Sequence, residues 1–526
     1  MFVATALLLP GCDRVSWLRG PPDEGGVVAP SPAQDPSCTD SPTWESFGQA
    51  WLRTWCTPCH SSALPAEARQ GAPLGIDFDT YSATLPLASR LVPVAGGADA
   101  TMPPAGGPSP EERARLEEWV ECGLPGADTP SLACAAPSDH PGDLIATPDA
   151  CDGAEIWVLG DLVVTDSELA CVCGVDGLVL ASGDVVLPEI RFAGELDARS
   201  SSRLEAPRLK TIAGDVVGGG PLTALLLPEL IDLGGALRLT DAPALVRIDL
   251  TLLDRAGAIE VRSAMSLRDL APRRLRFIDT DLVLEEVGLA DLDGFDSLRS
   301  VGGDVHVEGL AGPRSAPGLP LLEAIGGDLV LAGMPGVLTI DGLGSLERVD
   351  GDLVVRELPS LRTIQGITQL RTVGGDLVID GPSELMAIRG LGALDAAASV
   401  SLRDHPLLQS ARGFDALTSS AILLEDLPAL ERLPAPGLIE AQTVSATRVA
   451  LGELSGWNAL TTADNLYLDG NPFLTSVTGL RSLTRLAGDL VIADNPRLSA
   501  DDAWALADRL AVEGEVTVDG NGDLAE

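Results

Sequence analysis

A repeating pattern of apolar and polar residues covers most of the chain, from about residue 151 to residue 526. Each copy has a glycine-rich turn, a short strand-like apolar run, and then Leu, Ile or Val at every third position. Four consecutive copies start 24 residues apart, at Asp304, Asp328, Asp352 and Asp376. Because so short a strand cannot bury its apolar side alone, the pattern predicts parallel strands stacked in about fifteen rungs around one leucine-rich core.

A different pattern precedes the repeats. Aromatic side chains recur there at steps of three or four residues, which places them on one face of a helix. The stripe consists of Trp44, Phe47, Trp51 and Trp55. The segment Cys56-Thr57-Pro58-Cys59-His60 follows it directly. This region is therefore expected to form a separate helical domain with a chemically distinctive turn.

The spacing within Cys56–His60 suits the covalent attachment of haem c. Two thiols three positions apart can reach the two vinyl groups of one macrocycle, and the adjacent His60 then lies under the iron as an axial ligand. Three alternatives remain open. Cys56, Cys59 and His60 could bind zinc with a fourth ligand from Cys38 or Cys122. They could contain a thioredoxin-like redox pair, or the pattern could occur by chance.

A second axial ligand and a second helix complete this region. Met102 lies in a Met-Pro-Pro loop, 42 residues after His60, where it could be an iron ligand or a packing residue. Ser109 begins a predicted capped helix, which Gly123 ends. Residues 38–126 thus resemble the class I cytochrome c domain. The resemblance implies an all-α fold, thioether bonds from Cys56 and Cys59, axial ligation by His60 and Met102, and a pocket-lining segment at 75–81.

The N-terminus is predicted to be an address signal. Phe2–Pro10 is apolar, and the following Leu9-Pro10-Gly11-Cys12 resembles a bacterial lipobox, which implies lipidation of Cys12 within a signal at 1–12. The other interpretation is an unmodified Cys after a short apolar stub. Residues 13–37 are rich in Pro and Gly, as expected of a flexible tether, and residues 127–150 are predicted to be a linker.

Charge and cysteine distribution indicate the compartment and the class of partner. The formal net charge of −42 repels phosphate backbones and anionic lipid headgroups, so nucleic-acid binding is excluded and membrane contact is expected only through the lipid. All nine Cys lie at or before Cys173. Six of them remain besides Cys12 and the CxxCH pair, an even number that fits disulfides outside the cytoplasm. Cys38 with Cys122 is the preferred pair because they bracket the helical domain.

The repeats at 151–526 resemble the leucine-rich-repeat and receptor L-domain superfamily. The resemblance is clearest at Leu466-Tyr-Leu-Asp-Gly-Asn471-Pro-Phe-Leu474. Most copies have Gly-Gly-Asp in place of the family's Asn, so a straighter β-solenoid than the usual horseshoe is an alternative. The resemblance implies binding of a protein or a glycan through exposed strands.

The Asp residues that start the strands are expected to form a column. The simple interpretation is that each carboxylate accepts a backbone N–H at its own turn, and the alternative is a ladder of calcium sites. His306 and His405 are interpreted as surface or packing residues, because no nucleophile motif lies near either. No enzymatic activity is expected.

Together these features predict an extracytoplasmic c-type cytochrome that is lipid-anchored in a bacterial membrane, in the periplasm or at the cell surface. One covalent haem would exchange electrons with a redox partner protein, while the solenoid binds a protein or glycan. One alternative is a cell-surface adhesion protein whose haem domain is a sensor or a structural remnant. Another is an oxidase or peroxidase subunit, which would need an open iron position.

Overall fold

The computed structural model describes residues 42–57, 59–61, 69, 78, 84, 88–96, 108–122, 138–146, 155–310, 312, 315, 318–381, 383–432 and 435–522. The chain divides into two compact units, residues 1–136 and 137–526. Among the described helices, none has the length and apolar character that crossing a bilayer requires.

The first unit is helical where it is described. A π-helical turn at Trp44–Gly48 leads into α1 (Gln49–Trp55), followed by α2 (Ala88–Ala95) and α3 (Pro110–Glu121). The predicted capping box is present: the Ser109 hydroxyl accepts from the backbone N–H of Glu112, and the Ser109 N–H donates to the Glu112 carboxylate. Two of the four unpaired N–H groups at the start of α3 are thereby satisfied. Helix α3 ends at Glu121, and Gly123 lies outside the described residues.

The core of the first unit is the aromatic stripe predicted from the sequence. Trp44, Phe47 and Trp51 are buried, and Trp119 of α3 is buried with them. The Trp119 ring lies on the backbone of Gly48, where a Cβ atom would be only 2.4 Å from the indole. A glycine within a helical segment costs about 1 kcal/mol relative to alanine. Here it allows the junction between the π-helical turn and α1 to approach α3 closely.

The second unit is a parallel β-solenoid, as predicted, and its described residues form about 17 turns. The principal column of strands contains β2 (Leu144–Ile145), β4 (Leu162–Thr165), β5 (Val172–Val186), β6 (Phe192–Glu205), β8 (Val216–Gly219), β10 (Asp232–Thr240), β12 (Arg255–Ala264), β15 (Leu282–Val287), β17 (Val305–Glu308), β19 (Leu329–Ala332), β22 (Leu353–Arg356), β25 (Asp376–Asp380), β27 (Ser399–Arg403), β29 (Ala421–Leu427), β30 (Glu440–Val449), β31 (Thr462–Asp469), β33 (Leu490–Ala493) and β35 (Val516–Asp519).

Shorter strands form the other sides of each turn. They are β1 (Ser138–His140), β3 (Ile156–Val158), β7 (Thr211–Ile212), β9 (Ala224–Leu226), β11 (Arg247–Asp249), β13 (Asp269–Leu270), β14 (Phe277–Ile278), β16 (Ser300–Val301), β18 (Ala324–Ile325), β20 (Thr339–Ile340), β21 (Arg348–Val349), β23 (Thr363–Ile364), β24 (Thr372–Val373), β26 (Ala387–Ile388), β28 (Ser410–Ala411), β32 (Arg485–Leu486) and β34 (Ala511–Val512). Three 3-10 turns (Asp293–Phe295, Ser455–Trp457, Thr478–Leu480) and helix α4 (Ala500–Arg509) complete the unit.

The solenoid begins earlier than the sequence pattern indicated. Strands β1 and β2 lie within residues 127–150, the segment predicted to be a linker, and they pair in parallel with β3 and β4. The paired segments have only three and two residues. Such short strands are difficult to predict from the sequence, because two or three residues are too few to show an alternation of apolar and polar positions.

The interior of the solenoid is one continuous apolar cluster from Val158 to Leu510. Equivalent residues of successive rungs face each other in register, as in the pairing of Leu353 with Leu377. Because of this register, the leucine side chains of each rung are covered by the equivalent side chains of the rungs on either side. The predicted stacking of short strands around a leucine core is therefore confirmed.

The Asp residues before the strands form the expected column, with a difference in its hydrogen bonds. The Oδ1 atom of Asp328 accepts the backbone N–H of Asp352 at 2.7 Å, so the donor belongs to the next rung rather than to the same turn. The same bond recurs at 2.8 Å from Asp304 to Asp281, from Asp328 to Asp304 and from Asp376 to Asp352. The carboxylates thus link rungs. Each accepts a backbone N–H, as the simple interpretation predicted, but the donor belongs to the next rung.

This column also explains the repeated Gly-Gly-Asp signature. A Cβ atom on Gly351, the residue before Asp352, would lie 2.0 Å from the Oδ1 atom of Asp328. Gly327 and Gly375 are equally close to the preceding carboxylates, at 2.0 and 1.9 Å. Each carboxylate therefore occupies the space that a side chain would need on the following rung, and the second glycine is a steric requirement.

Candidate cofactor-attachment site

The Cys56–His60 segment forms one tight turn at the end of α1. The Cys56 N–H donates to the Leu52 carbonyl at 2.8 Å, which continues the helix by one residue. The N–H groups of Cys59 and His60 then both donate to the Cys56 carbonyl, at 3.1 and 2.9 Å. All three side chains, those of Cys56, Cys59 and His60, therefore follow the helix within a single turn. All three are half-buried.

The described cysteines fall into two chemical states. Cys56 and Cys59 are not in disulfide bonds. Cys122, Cys171 and Cys173 are disulfide-bonded. Burial, together with a smaller contribution from the neighbouring Cys59, raises the pKa of the Cys56 thiol to about 12. The Cys56 side chain is therefore a neutral thiol at physiological pH.

The surroundings of His60 include residues far along the chain. The His60 ring meets the ring of Phe78 edge to face, with centroids 5.6 Å apart, and the Phe78 N–H donates to the His60 carbonyl at 3.0 Å. The Arg69 side chain is fully buried and donates to the Ser61 carbonyl at 2.6 Å. The predicted segment at 75–81 thus contributes at least Phe78 to the environment of His60.

Two members of this region, Gly48 and Arg69, were not found from the sequence. Gly48 lies at the contact between the π-helical turn and α3, against the buried ring of Trp119. A glycine inside an aromatic helical stripe was an available signal, because such a glycine is unfavourable unless another element approaches closely. Arg69 gave no signal, since nothing in its neighbourhood distinguishes a buried arginine from a surface one.

Several predicted residues lie outside the described part of the chain. They are Met102, Cys12, Cys38, Cys134 and Cys151. Axial ligation by Met102, lipidation of Cys12 and the pairing of Cys38 with Cys122 therefore stay predictions. The boundaries of the tether at 13–37 do so as well.

The histidines of the solenoid have different environments. His405 is buried; its Nε2 atom lies 3.1 Å from the Ile379 carbonyl oxygen, and its Nδ1 atom lies 3.0 Å from the Ser383 hydroxyl. Burial lowers the pKa of His405, so the ring is neutral at physiological pH. His306 is partly exposed and lies 3.0 Å from the Glu308 carboxylate. Within the described ranges, no three or more His, Cys, Asp or Glu side chains converge as a metal site would require.

No family model matches the chain, and no curated protein matches it.

Proposed function

We propose that the protein is an extracytoplasmic c-type cytochrome that exchanges electrons with a partner protein. One haem would be attached to Cys56 and Cys59, with His60 and Met102 as axial ligands. The observation that carries the proposal is the turn at 56–60, where two cysteines outside any disulfide and a histidine follow one helix within five residues. Covalent haem attachment consumes two thiols at this spacing.

The packing of the first unit supports a class I cytochrome c-like domain at 38–126. In that family the first and last helices cross close to the haem. Here the segment ending in α1 contacts α3 through Gly48, Leu52 and Leu116, with the Trp119 ring on the Gly48 backbone. Trp44 and Trp119 also contact each other, with ring centroids 6.1 Å apart. This cluster excludes water from one side of the Cys56–His60 turn.

The chain's own residues fit a haem at this turn. Bound there, haem c would supply one-electron chemistry between Fe(II) and Fe(III). His60 would be held by the backbone bonds of its turn, and the Phe78 ring would limit the rotation of its imidazole. The buried Arg69 places a positive charge near Ser61 that would favour the haem's carboxylates.

The compartment is inferred from disulfide chemistry. Cys122, Cys171 and Cys173 are disulfide-bonded, and such bonds persist outside the cytoplasm. Lipidation of Cys12 would then attach the protein to a bacterial membrane, in the periplasm or at the cell surface. The net charge of −42 keeps the remainder of the chain away from anionic headgroups.

We also propose that the solenoid is of the leucine-rich-repeat or receptor L-domain type and binds a protein or a glycan. Support comes from three buried asparagines that follow the principal strands of consecutive rungs: Asn471, Asn495 and Asn521. Their side chains bond to one another and to the backbones of neighbouring rungs, as in the 3.1 Å bond from the Asn471 N–H to Asn495 Oδ1. These rungs thus contain the Leu/Asn pattern on which the resemblance to that superfamily is based.

A visible absorption spectrum of the protein expressed in an oxidising compartment tests the haem proposal. Reduced-minus-oxidised spectra should show a c-type haem that stays with the denatured chain. The double variant Cys56→Ala/Cys59→Ala should lack covalent haem. The matched control Cys171→Ala should retain it, because Cys171 lies in the solenoid. Secreted, folded protein without covalent haem would contradict the proposal.

Axial ligation is tested separately. The oxidised protein should show the weak charge-transfer band of methionine bound to iron, and Met102→Ala should abolish it. The control Met265→Ala changes an exposed methionine of the solenoid and should preserve the band. Persistence of the band in Met102→Ala would exclude Met102 as the ligand.

A further inference from the structure

A groove of about 750 Å³ opens beside the ends of strands β27 to β31. Its wall consists of one turn motif repeated on successive rungs: a residue with positive φ, a buried residue, and then proline. Asp404-His405-Pro406 and Asp426-Leu427-Pro428 are two copies, with φ angles of 57° and 53° at the Asp residues. The repeated motif gives the groove a rigid backbone wall, because proline and the left-handed residue both restrict the chain.

The motif loses its proline on one rung and a side chain on the next. Ala450 takes the place of proline after Arg448 and Val449, whereas Gly470-Asn471-Pro472 keeps the proline but has no side chain at the residue with positive φ. A Cβ atom on Gly470 would lie 3.2 Å from the Cγ atom of Arg448. The smaller residues lower the wall between Pro428 and Pro472, which leaves an open depression.

An aromatic ring forms one end of the groove. Phe473 is 45% exposed, although its ring is large and apolar. The guanidinium of Arg497 lies 5.2 Å from the ring centroid, which fixes the ring by a cation–π contact. A fixed, half-exposed ring provides contact area at a low entropic cost.

The opposite end of the groove is negatively charged. Within the described part of the chain, Asp404 forms no ion pair, and its side chain is exposed. Arg448 does not neutralise it, because its guanidinium bonds to Asp426 at 2.6 Å and to Glu425 at 2.8 Å. These bonds lower the pKa of Asp426, so that carboxylate also remains charged. The groove therefore combines an excess negative charge with an apolar end.

We propose that this groove binds an extended cationic peptide segment, with a Lys or Arg side chain at Asp404 and an apolar or aromatic side chain on Phe473. Asp404 and Gly470 lie three rungs apart, or about 14 Å at the usual strand spacing. An extended peptide advances about 3.4 Å per residue, so the two side chains are about four residues apart. The chain's charge of −42 would draw such a partner towards it.

The experiment measures binding of a dye-labelled peptide, Lys-Gly-Ser-Gly-Phe, to the full chain by fluorescence anisotropy at low salt. Phe473→Ala should weaken binding about tenfold, because the aromatic contact is lost. Asp404→Asn should weaken it about fivefold, since a single exposed charge pair contributes modestly. Asn tolerates positive φ, so the turn is preserved in this variant.

Matched controls come from the same turn motif elsewhere. Asp241 also has positive φ and precedes Ala242-Pro243, far from the groove, and Asp241→Asn should bind like the wild type. A peptide with Glu in place of Lys should bind at least tenfold more weakly. Equal binding by Asp404→Asn and the wild type would overturn the proposal. So would Phe473-dependent binding of the neutral oligosaccharide cellohexaose without binding of the peptide.

Discussion

The solenoid contains two columns of side chains that bond to neighbouring rungs, and they differ in charge and burial. One column precedes the strands and consists mainly of Asp, with exposed or half-buried side chains such as those of Asp304 and Asp328. The other follows the strands and contains Asn471, Asn495 and Asn521, all buried. In both columns a side-chain oxygen accepts a backbone N–H from an adjacent rung.

Burial explains which residue each column can use. A carboxylate at the surface keeps part of its hydration, whereas a buried carboxylate without a counter-ion is costly. Asn465 stands in the Asp column and accepts the Asp489 N–H at 2.9 Å, so the amide replaces the carboxylate there. In the buried column the polar members of the described rungs are neutral: three Asn residues and His405. His405 takes the place of asparagine in this column, and its Nε2 atom contacts the Ile379 carbonyl as an asparagine side-chain nitrogen would.

Removal of one buried asparagine should have the largest effect on stability. The Asn495 side chain donates to the carbonyls of Leu468 and Ala493 and accepts the Asn471 N–H. Asn495→Ala leaves these buried groups unpaired and should lower the free energy of unfolding by about 3 kcal/mol. Urea denaturation followed by circular dichroism measures the loss.

The matched control for this variant is Asn465→Ala in the other column. It removes an asparagine that accepts one backbone N–H at a half-buried position. The expected loss is about 1 kcal/mol, because water can satisfy the released group. Equal losses in the two variants would mean that burial does not distinguish the columns.

The steric link between Asp and the following glycine predicts the next largest effect. Gly351→Ala places a Cβ atom against the Asp328 carboxylate and should cost about 2 kcal/mol. Asp328→Ala alone should cost about 1 kcal/mol, through loss of the bond to the Asp352 N–H. The double variant should be less destabilised than the sum, because the 2.0 Å clash with the carboxylate disappears and only the 2.9 Å contact with the Gly327 backbone remains. Additive losses in the double-mutant cycle would show that the carboxylate does not require the glycine.

The buried His405 makes stability depend on pH. Burial lowers its pKa in the folded state, so below about pH 6.5 the unfolded chain binds a proton that the folded chain does not. Stability should therefore fall as pH drops below that value. His405→Asn should remove this part of the slope, because an amide does not titrate. The amide of the variant can still donate to the Ile379 carbonyl, so the fold is preserved.

Denaturation curves at several pH values measure the slope, and His306→Gln, on the strand surface, is the control that should retain it. An unchanged slope in His405→Asn would assign the pH dependence to other groups.

The sequence predicted the solenoid well because its information is periodic. Leu353 and Leu377 occupy the same position in two copies, and so does each Asp of the column, which makes register readable from spacing alone. The direction of the Asp bonds was not readable. A carboxylate at a turn can accept an N–H from its own turn or from the next rung, and only the backbone path decides between them.

The candidate site was predictable where the chemistry is local. Cys56, Cys59 and His60 lie within five residues, so their spacing carries the prediction. Phe78 and Arg69 approach His60 and Ser61 through the path of the intervening chain, which no short-range pattern encodes. The early start of the solenoid was missed for a related reason: strand β2 has two residues and is defined by its partner.

The smallest predicted effect tests whether the carboxylate charge contributes to stability in the Asp column. Asp328→Asn keeps an oxygen that can accept the Asp352 N–H, and Asn465 already fills an equivalent position. The free energy of unfolding should change by less than about 0.5 kcal/mol at physiological salt, because an exposed charge is well screened. At low salt the variant should be slightly more stable than the wild type, since neighbouring carboxylates of the column repel one another. If Asp328→Asn destabilised the protein as much as Asp328→Ala, the charge of the carboxylate rather than its oxygen atom would link the rungs. The Asp column would then differ from the buried column in mechanism as well as in burial.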